Sequence, residues 1–440
     1  VLDMKYSEID TPVRWRRLKG ALCILLTLWV SAGWAQQREG ISDTDLSALA
    51  ARAMSEFNVP GMAIGVVKSD SILINESFGL REIGKPETVN AKTMFKIASV
   101  SKAFTTASLA VLVDEAQLSW DGAVVDYIPG FRMCDPWLTA NFTVIDLLTH
   151  RGGLKSHVGD MLLWPVPNLF TSADIINSLR YFEPVHGFRT GYHYDNLTYI
   201  VAGEIIPHVT GVAWGDFVDS RIMRSAGMKR CFAGEIPKRQ MRNLASPHAM
   251  VEGQLAVVER SRIRRQPPVS AAAGGIVCSL DDMLTWVRTQ LNRGTTPDGV
   301  QLFSPAQSRE MWKPHINMNV SDNDVKESGT HFKAYGLGWR LADVHGFKEI
   351  SHTGGLTGFR AQVVLVPELE LGVVILTNGS SSAARNDVTK TIVRSFMPVE
   401  QVDWFQLRKD KLAASEQKTG SVATAKEVVE EAPASCCSPD

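Results

Sequence analysis

Ser99-Val100-Ser101-Lys102 begins a long apolar stretch that continues to about Val113. If this stretch is a helix, Ser99 and Lys102 lie three residues apart on one of its faces. A lysine held beside a serine hydroxyl in a partly dry pocket can lose its proton and act as a general base, which would make the serine a nucleophile without a histidine. The pattern alone is weak, and we attribute a second match at 415–418, in a polar segment, to chance.

The composition is that of an ordinary globular protein. The chain has 440 residues, of which 45% are apolar and 21% are charged, and this is enough for a large core in one big domain or in two. The net charge is −1 and the body of the chain has no long basic block. Nucleic acid is therefore not an expected partner.

The N-terminus has the pattern of an export signal. Basic residues between Arg14 and Lys19 precede the apolar run Ala21 to Trp34, and Gly33-Trp34-Ala35 offers small residues where a signal peptidase cuts. We predict a signal peptide over residues 1–35 and a periplasmic or secreted protein that begins at Gln36. A retained membrane anchor is the alternative, but the apolar run is about 14 residues long, short of the roughly 20 that a spanning helix needs.

The cysteines and histidines form no recognisable framework. Five cysteines lie beyond the signal without repeated close spacing, namely Cys134, Cys231, Cys278, Cys436 and Cys437. We expect buried thiols without a disulfide framework. No His-Glu-x-x-His occurs and the histidines are scattered, so we expect neither a metal nor an organic cofactor.

Apolar periodicity predicts strands near both ends of the domain. Met62 to Val67 and Ser71 to Leu80 are predicted strands, and Phe359 to Val366 with Leu371 to Thr377 forms a predicted antiparallel hairpin. Helices are predicted at Asp43 to Glu56, at Ser99 to Glu115 and at about Ala384 to Phe396. The expected fold is α/β (α+β), with one antiparallel sheet that is built from both chain ends and flanked by helices.

This pattern also sets the expected domain organisation. One hydrolase domain would cover residues 36–400, with its α/β part at about 36–118 and 335–400 and a mainly helical part at about 119–334. Residues 401–440 are expected to be a polar tail that is disordered, although Trp404 to Glu416 has the pattern of a short helix.

A second candidate element is Tyr194-Asp195-Asn196, the only Tyr-x-Asn in the chain. A phenol with a depressed pKa can pass protons between a nucleophile and a leaving group. The amide of Asn196 can either hold a substrate carbonyl or steady the lysine by hydrogen bonds. Taken alone, the tripeptide is equally typical of an aromatic turn around a core tyrosine.

A third element is His352-Thr353-Gly354-Gly355, just before the predicted strand at Phe359. On a strand edge these residues can line a slot for an extended substrate, and glycine lets the substrate backbone approach closely. The N–H of Gly355 could pair with that of Ser99 as an oxyanion hole. Taken alone, the sequence is typical of a glycine-rich turn.

In this order, the three motifs resemble those of the serine β-lactamase and penicillin-binding-protein superfamily. The similarity is closer to its class C-like branch, which includes class C β-lactamases, DD-peptidases, D-aminopeptidases and β-lactamase-like carboxylesterases of the peptidase S12 type. It extends over roughly Ser42 to Pro398. It includes the segment Phe95 to Lys102 around the first motif, landmarks at Asp146 to Leu154 and at Ala272 to Met283, and the segment from His352 through Asn378. The resemblance implies a β-lactamase/transpeptidase-like fold.

The resemblance also implies roles for individual residues. Ser99 would be acylated, and Lys102 and Tyr194 would share the acid–base work. The implied substrate-binding residues are Asn196, His352, Thr353, Gly354 and Gly355, of which the histidine, threonine and first glycine would line the far wall of the cleft. The backbone N–H groups of Ser99 and Gly355 would form the oxyanion hole.

Two features depart from the class C pattern. His352 stands where class C β-lactamases carry lysine, although DD-peptidase-like members have histidine there. With an ordinary pKa of about 6.5, histidine is a weaker and pH-dependent anchor for a substrate carboxylate. The form of the third motif with lysine at its first position does occur, at Lys418-Thr419-Gly420. No strand pattern surrounds it, and we attribute it to chance.

We therefore predict an exported serine hydrolase that acts through an acyl-enzyme. A penicillin-binding, DD-peptidase-like or β-lactamase-like activity on peptides with D-residues or on β-lactams is expected first. A carboxylesterase for short acyl esters is the alternative within the same family. The alternative of another class is a non-catalytic substrate-binding or sensor protein. The expected partner is a small-molecule or peptide substrate, with no stable membrane span after signal cleavage, and the oligomeric state stays open.

Overall fold

The computed structural model describes residues 40–164 and 169–415. The predicted signal peptide, the lysine form of the third motif in the tail and the last two cysteines lie outside these residues, so export remains a prediction. Within the described residues, no helix is both long and apolar enough to cross a membrane.

Strands are most frequent near the two ends of the described chain, and helices dominate between them. The described strands are β1 (Gly61–Lys68), β2 (Ser71–Gly79), β3 (Met94–Lys96), β4 (Cys231–Phe232), β5 (His248–Val251), β6 (Gln254–Val257), β7 (Val277–Ser279), β8 (Ile316–Asn317), β9 (Lys333–Tyr335), β10 (Arg340–Val344), β11 (Phe347–Leu356), β12 (Phe359–Val366) and β13 (Leu371–Thr377). The described helices are α1 (Asp43–Glu56), α2 (Ser101–Asp114), α3 (Val124–Tyr127), α4 (Pro136–Asn141), α5 (Val144–Thr149), α6 (Ser172–Ser178), α7 (Leu197–Thr210), α8 (Trp214–Phe217), α9 (Ala271–Gly274), α10 (Leu280–Leu291), α11 (Pro305–Met311), α12 (Asp322–Ser328), α13 (Ser382–Ser395) and α14 (404–415).

The main sheet joins the two ends of the domain, as the sequence predicts. Its eight strands follow the order β2-β1-β13-β12-β11-β10-β9-β8. The first strand pairs with the last in antiparallel register, from Met62 opposite Thr377 to Lys68 opposite Leu371. Two small sheets are also present, β3-β7-β4 and β5-β6. Strands β4 to β7 lie in the region expected to be mainly helical, so this region contains strands as well as helices.

The sheet separates two apolar cores, and β1 shows how the chain fills both of them. Ala63 and Val67 point into the large core that packs on the helical region. Met62, Ile64 and Val66 point into the smaller core that α1 and α13 cover. A strand buried on both faces needs apolar residues at successive positions, which is why β1 is almost continuously apolar.

Two findings correct the sequence analysis. Cys231 and Cys278 stand opposite each other on β4 and β7 and form a disulfide, although their spacing of 47 residues gave no sign of pairing. The packed chain also continues beyond residue 400, because α14 buries Trp404 and Phe405. The first part of the expected polar tail therefore belongs to the folded domain.

A glycine lets helix α10 approach the main sheet. Gly372 on β13 is buried, and a Cβ atom added there would overlap the Cγ1 atom of Val287 on α10. A side chain at this position must therefore displace either the helix or the strand.

We expect Gly372→Ala to lower the free energy of unfolding by about 1–3 kcal/mol, because overpacking strains a close-packed core. Gly130→Ala is the matched control, since a Cβ atom there meets nothing within 4 Å. Urea denaturation of both variants measures the difference. Equal stability of the two variants would show that α10 has room to move.

Candidate active site

Ser99 lies in a tight 3₁₀ turn (Ala98–Val100) between β3 and α2. The helix that the sequence placed at Ser99 begins as an α-helix only at Ser101. The N–H of Ile97 donates to the oxygen of Ile276 (3.0 Å), and the hydroxyl of Ser101 accepts from the N–H of Ile276 (3.1 Å). Ala98 has a φ of +49°, a strained left-handed conformation for a residue with a side chain. The hydrogen bonds of Ile97 and Ser101 fix the chain on both sides of Ser99, and the turn thus holds Ser99 at the cleft.

Gly354 lets β11 touch this turn. A Cβ atom at Gly354 would overlap the backbone oxygen of Ile97 and lie 3.1 Å from the Cβ of Ala98. Gly354 is therefore buried against the turn that carries Ser99 and does not form part of the open wall that the family resemblance implied. Its lack of a side chain sets how near β11 lies to Ser99.

Lys102 is fully buried on α2 and makes three contacts. Its Nζ lies 2.8 Å from Oδ1 of Asn196, 2.8 Å from the oxygen of Ala273 and 3.2 Å from Oγ of Ser99. None of these partners is a carboxylate. Burial lowers the pKa of Lys102 to about 7, and the more distant carboxylates of Asp160 and Asp195 oppose that shift.

The three contacts match the bonding capacity of a neutral amine. An uncharged lysine has two N–H donors and one lone pair. The two carbonyl oxygens, from Asn196 and Ala273, can accept the two protons, and the lone pair is then directed at the hydroxyl of Ser99. The contacts of Lys102 therefore fit a neutral amine that accepts a hydrogen bond from Ser99.

The hydroxyl of Tyr194 donates a hydrogen bond to Oγ of Ser99 (2.8 Å). Burial raises the pKa of Tyr194, opposite to the depressed pKa that we expected for this phenol. Tyr194 therefore stays protonated near neutral pH and acts as a donor, while Lys102 is the group that can be unprotonated.

Asn196 orients Lys102, which was one of the two roles open at the sequence level. Its Nδ2 donates to Oδ1 of Asp160 (3.0 Å), and this fixes its Oδ1 toward Lys102. The other carboxylate oxygen of Asp160 lies 3.0 Å from Nδ1 of His157. This series of hydrogen bonds, from His157 through Asp160 and Asn196, therefore holds Lys102 in place.

His150, in the landmark at Asp146 to Leu154, supports the tyrosine. The N–H of Asp195 donates to Nδ1 of His150 (3.1 Å), and the His150 ring lies 4.3 Å from the Tyr194 ring. Complete burial holds the pKa of His150 well below its usual range. A neutral His150 can accept this bond, so the landmark positions Tyr194, a role that the sequence analysis did not assign.

The prediction that His352 lines the far wall is wrong. The residue is 1% exposed. Its Nε2 lies 2.9 Å from the hydroxyl of Tyr335, and its Nδ1 lies 2.8 Å from the oxygen of Thr353. Burial holds the pKa of His352 well below its usual range, so the ring is neutral and lies behind the wall. Thr353 and Gly355 do line the cleft.

Arg340 supplies the permanent cation that the histidine does not. It begins β10, opposite Ser351 of β11, and its Nη1 donates to Oγ1 of Thr353 (2.9 Å). Arg340 lines the cleft and makes no salt bridge among the described residues. Sequence analysis missed Arg340 because the residues next to it in the sequence form no motif that would distinguish it from other arginines in strands.

One cleft of about 880 Å³ is lined by Ser99, Tyr194 and Asn196 and, on the side of the sheet, by Arg340, Thr353 and Gly355. Such a volume is typical of a site for a small molecule or a short peptide. Three ordered motifs, far apart in the sequence, therefore meet at one cavity.

The chain is similar in sequence or in fold to several known proteins. The chain is 29% identical over 352 residues to an unguisins hydrolase of Aspergillus campestris, a match that covers 78% of this chain and 62% of the relative's length. The chain thus spans less than two thirds of that relative.

Two solved structures share the fold. An octameric penicillin-binding protein homologue from Pyrococcus abyssi has a TM-score of 0.68 and 22% identity, with 80% of this chain and 77% of that chain covered. A class C β-lactamase from Rhodobacter sphaeroides has a TM-score of 0.64 and 21% identity, with 79% and 98% covered. Residues 46–396 match the Beta-lactamase family, and the chain therefore belongs to that family.

Proposed function

We propose that this protein is a serine hydrolase that works through an acyl-enzyme at Ser99. The observation that carries the proposal is the double contact of the Ser99 hydroxyl, with a buried lysine that lacks a carboxylate partner and with a protonated tyrosine. Export from the cell, which the N-terminal sequence predicts, is part of the same proposal.

The proton transfers follow from these contacts. Neutral Lys102 takes the proton of Ser99 as Oγ bonds to the substrate carbonyl carbon. When the bond to the leaving group breaks, the leaving atom receives a proton from the lysine and tyrosine pair. A water molecule then attacks the acyl-enzyme by the reverse sequence, which releases the acid and restores Ser99.

The oxyanion would bind between Ser99 and Gly355. Gly355 faces Arg360 across a hairpin that closes between Leu356 and Phe359. In an antiparallel ladder, hydrogen-bonded pairs alternate with pairs that are not bonded. This alternation directs the N–H of Gly355 away from β12, toward the cleft, where it can stabilise developing negative charge.

Arg340 and Thr353 support a substrate with a carboxylate on its leaving side. A guanidinium without an anionic partner, bonded to a threonine hydroxyl, is suited to a carboxylate. This favours a peptide with a free carboxyl end or a β-lactam over a neutral ester. The similarity to an unguisins hydrolase is consistent with a hydrolase, and the choice of substrate rests on Arg340 and Thr353.

Ser99→Ala is expected to lower turnover of every substrate by roughly 10³-fold or more, because catalytic groups that act as a unit fail together. Mass spectrometry after incubation with benzylpenicillin should show an adduct on the wild type and none on the variant. Ser415→Ala, in the chance match to the motif, is the matched control and should behave as wild type. An adduct that persists in a folded Ser99→Ala protein would contradict the assignment.

The pH profile should report Lys102. Since the unprotonated amine is the active form, kcat/KM for the neutral ester p-nitrophenyl butyrate should fall as pH drops through about 7 and level off above it. The negative charge of Asp160 raises the pKa of Lys102. Asp160→Asn keeps the acceptor for Asn196 and should move the profile to lower pH. A profile that is flat from pH 5 to 9, or a shift in the other direction, would exclude Lys102 as the base.

Arg340→Gln should separate charged substrates from neutral ones. At pH 9, on the upper plateau of the profile, we expect acylation by benzylpenicillin to fall about tenfold or more, since a charge-assisted bond to its carboxylate is lost. Hydrolysis of p-nitrophenyl butyrate should change by no more than about twofold. Equal losses for both substrates would show that Arg340 supports the fold of the site and does not bind the carboxylate.

A further inference from the structure

A second group of cations lies along the cleft, apart from Arg340, Arg360 and Arg385, which also line the cleft. Lys96 on β3 and the exposed side chains of Arg260 and Arg264 all line the cavity. Lys96 is partly buried, and its Nζ donates to the backbone oxygen of Ser261 (2.8 Å). Burial lowers the pKa of Lys96 to about 8, with a contribution from the nearby charge of Arg264.

These three cations have no carboxylate partner, in contrast to their neighbours on the chain. Arg262 pairs with Glu82 and Glu259, and Arg265 pairs with Glu235. Among the described residues, Lys96, Arg260 and Arg264 make no salt bridge. Unpaired positive charges that crowd together are unfavourable, and a bound anion relieves that repulsion.

The cleft itself offers little negative charge to these cations. Asp160 is the carboxylate among the described lining residues, and its two oxygens are already bound by Asn196 and His157. A bound ligand can therefore supply the negative charge that Lys96, Arg260 and Arg264 do not find in the cleft.

The position of this group distinguishes it from the Arg340 site. The nucleophile turn lies between two walls. Gly354 of β11 touches it on one side, and a Cβ atom at Gly274 of α9 would lie 3.5 Å from the backbone carbon of Ala98 on the other. The segment that carries Arg260 and Arg264 leads into α9, and Pro268 packs against Gly275. Arg340 and Thr353 belong to the strand wall.

Apolar side chains line the same cavity, namely Trp164, Phe232 and Ile236. Phe232 is near Lys96, because both residues pair with Val277 of β7. An aromatic or aliphatic group that also carries a negative charge matches this mixture of surfaces.

We propose that Lys96, Arg260 and Arg264 form an anion subsite for the acyl part of the substrate, so that the substrate carries negative charge on both sides of the bond that is cleaved. This inference rests on the proposed function, which assigns the strand wall with Arg340 to the leaving side. The substrate class is then an acidic acyl compound, with an anionic and partly apolar acyl group and a carboxylate on the leaving side.

Carbenicillin and benzylpenicillin are a matched pair of probes, because they share the β-lactam nucleus and its carboxylate, and only carbenicillin has a second carboxylate on the acyl side chain. Acylation rates of Ser99 are measured by mass spectrometry for wild type, Arg264→Gln and Lys96→Met. We expect carbenicillin to be preferred by the wild type and the ratio of the two rates to fall about tenfold in each variant, the effect of one lost charge-assisted contact.

Arg309→Gln is the control, since Arg309 is exposed on α11 and its replacement removes the same charge. It should leave the ratio unchanged. A ratio that is the same in wild type, Arg264→Gln and Lys96→Met would overturn the subsite. Arg264→Gln decides the question if Lys96→Met does not fold, because Arg264 is exposed.

Failure of the proposed function gives a different result. If neither penicillin acylates the wild type, serine acylation by β-lactams is refuted, and calorimetric binding of phenylmalonate against phenylacetate then tests the subsite directly. Tighter binding of phenylmalonate to wild type, lost in Arg264→Gln, would support it. Equal affinities for the two probes would overturn it.

Discussion

A lysine buried without a counter-ion is the constraint on which the rest of the site depends. Removing a cation from water is costly, and within the described part of the chain Lys102 has only a serine hydroxyl and two carbonyl oxygens in hydrogen-bond reach. The cost falls on the charged form, so the neutral amine becomes accessible near pH 7. A carboxylate in direct contact would remove this property, and the carboxylates of Asp160 and Asp195 act only at a distance.

The surrounding fold keeps that lysine dry and its partners fixed. Asn196 is held by Asp160, Tyr194 is held from behind by His150, and Ala273 belongs to the short helix α9 that packs beside the nucleophile turn. The sheet contributes the opposite wall, because β11 reaches the turn through Gly354. Each contact joins segments that are more than 30 residues apart in the chain, so the geometry exists only in the folded domain.

The third motif shows how burial changes the meaning of a residue. A histidine at its first position suggested a titratable anchor for substrate carboxylate, but His352 is enclosed by Tyr335 and its own strand, and enclosure favours the neutral ring. The charge comes from the neighbouring strand, where Arg340 bonds to Thr353. A guanidinium keeps its charge even when it is largely buried, because its pKa is far above neutral. The proposed function therefore assigns carboxylate binding to Arg340 and the pH dependence of the reaction to Lys102.

Local sequence patterns were enough to predict several strands and helices and to single out the candidate motifs. Apolar periodicity depends on near neighbours, so the strands Phe359–Val366 and Leu371–Thr377 and the helix Asp43–Glu56 were predicted at their observed bounds, and Ser99, Lys102 and Tyr194 were found by their spacing. Tertiary structure alone decided which side chains meet: the burial of His352, the arrival of Arg340 beside Thr353, the pairing of Cys231 with Cys278, and the raised pKa of Tyr194. These features depend on which strands are neighbours in the sheet and on how far water is excluded from each side chain. The local sequence of a single segment determines neither of them.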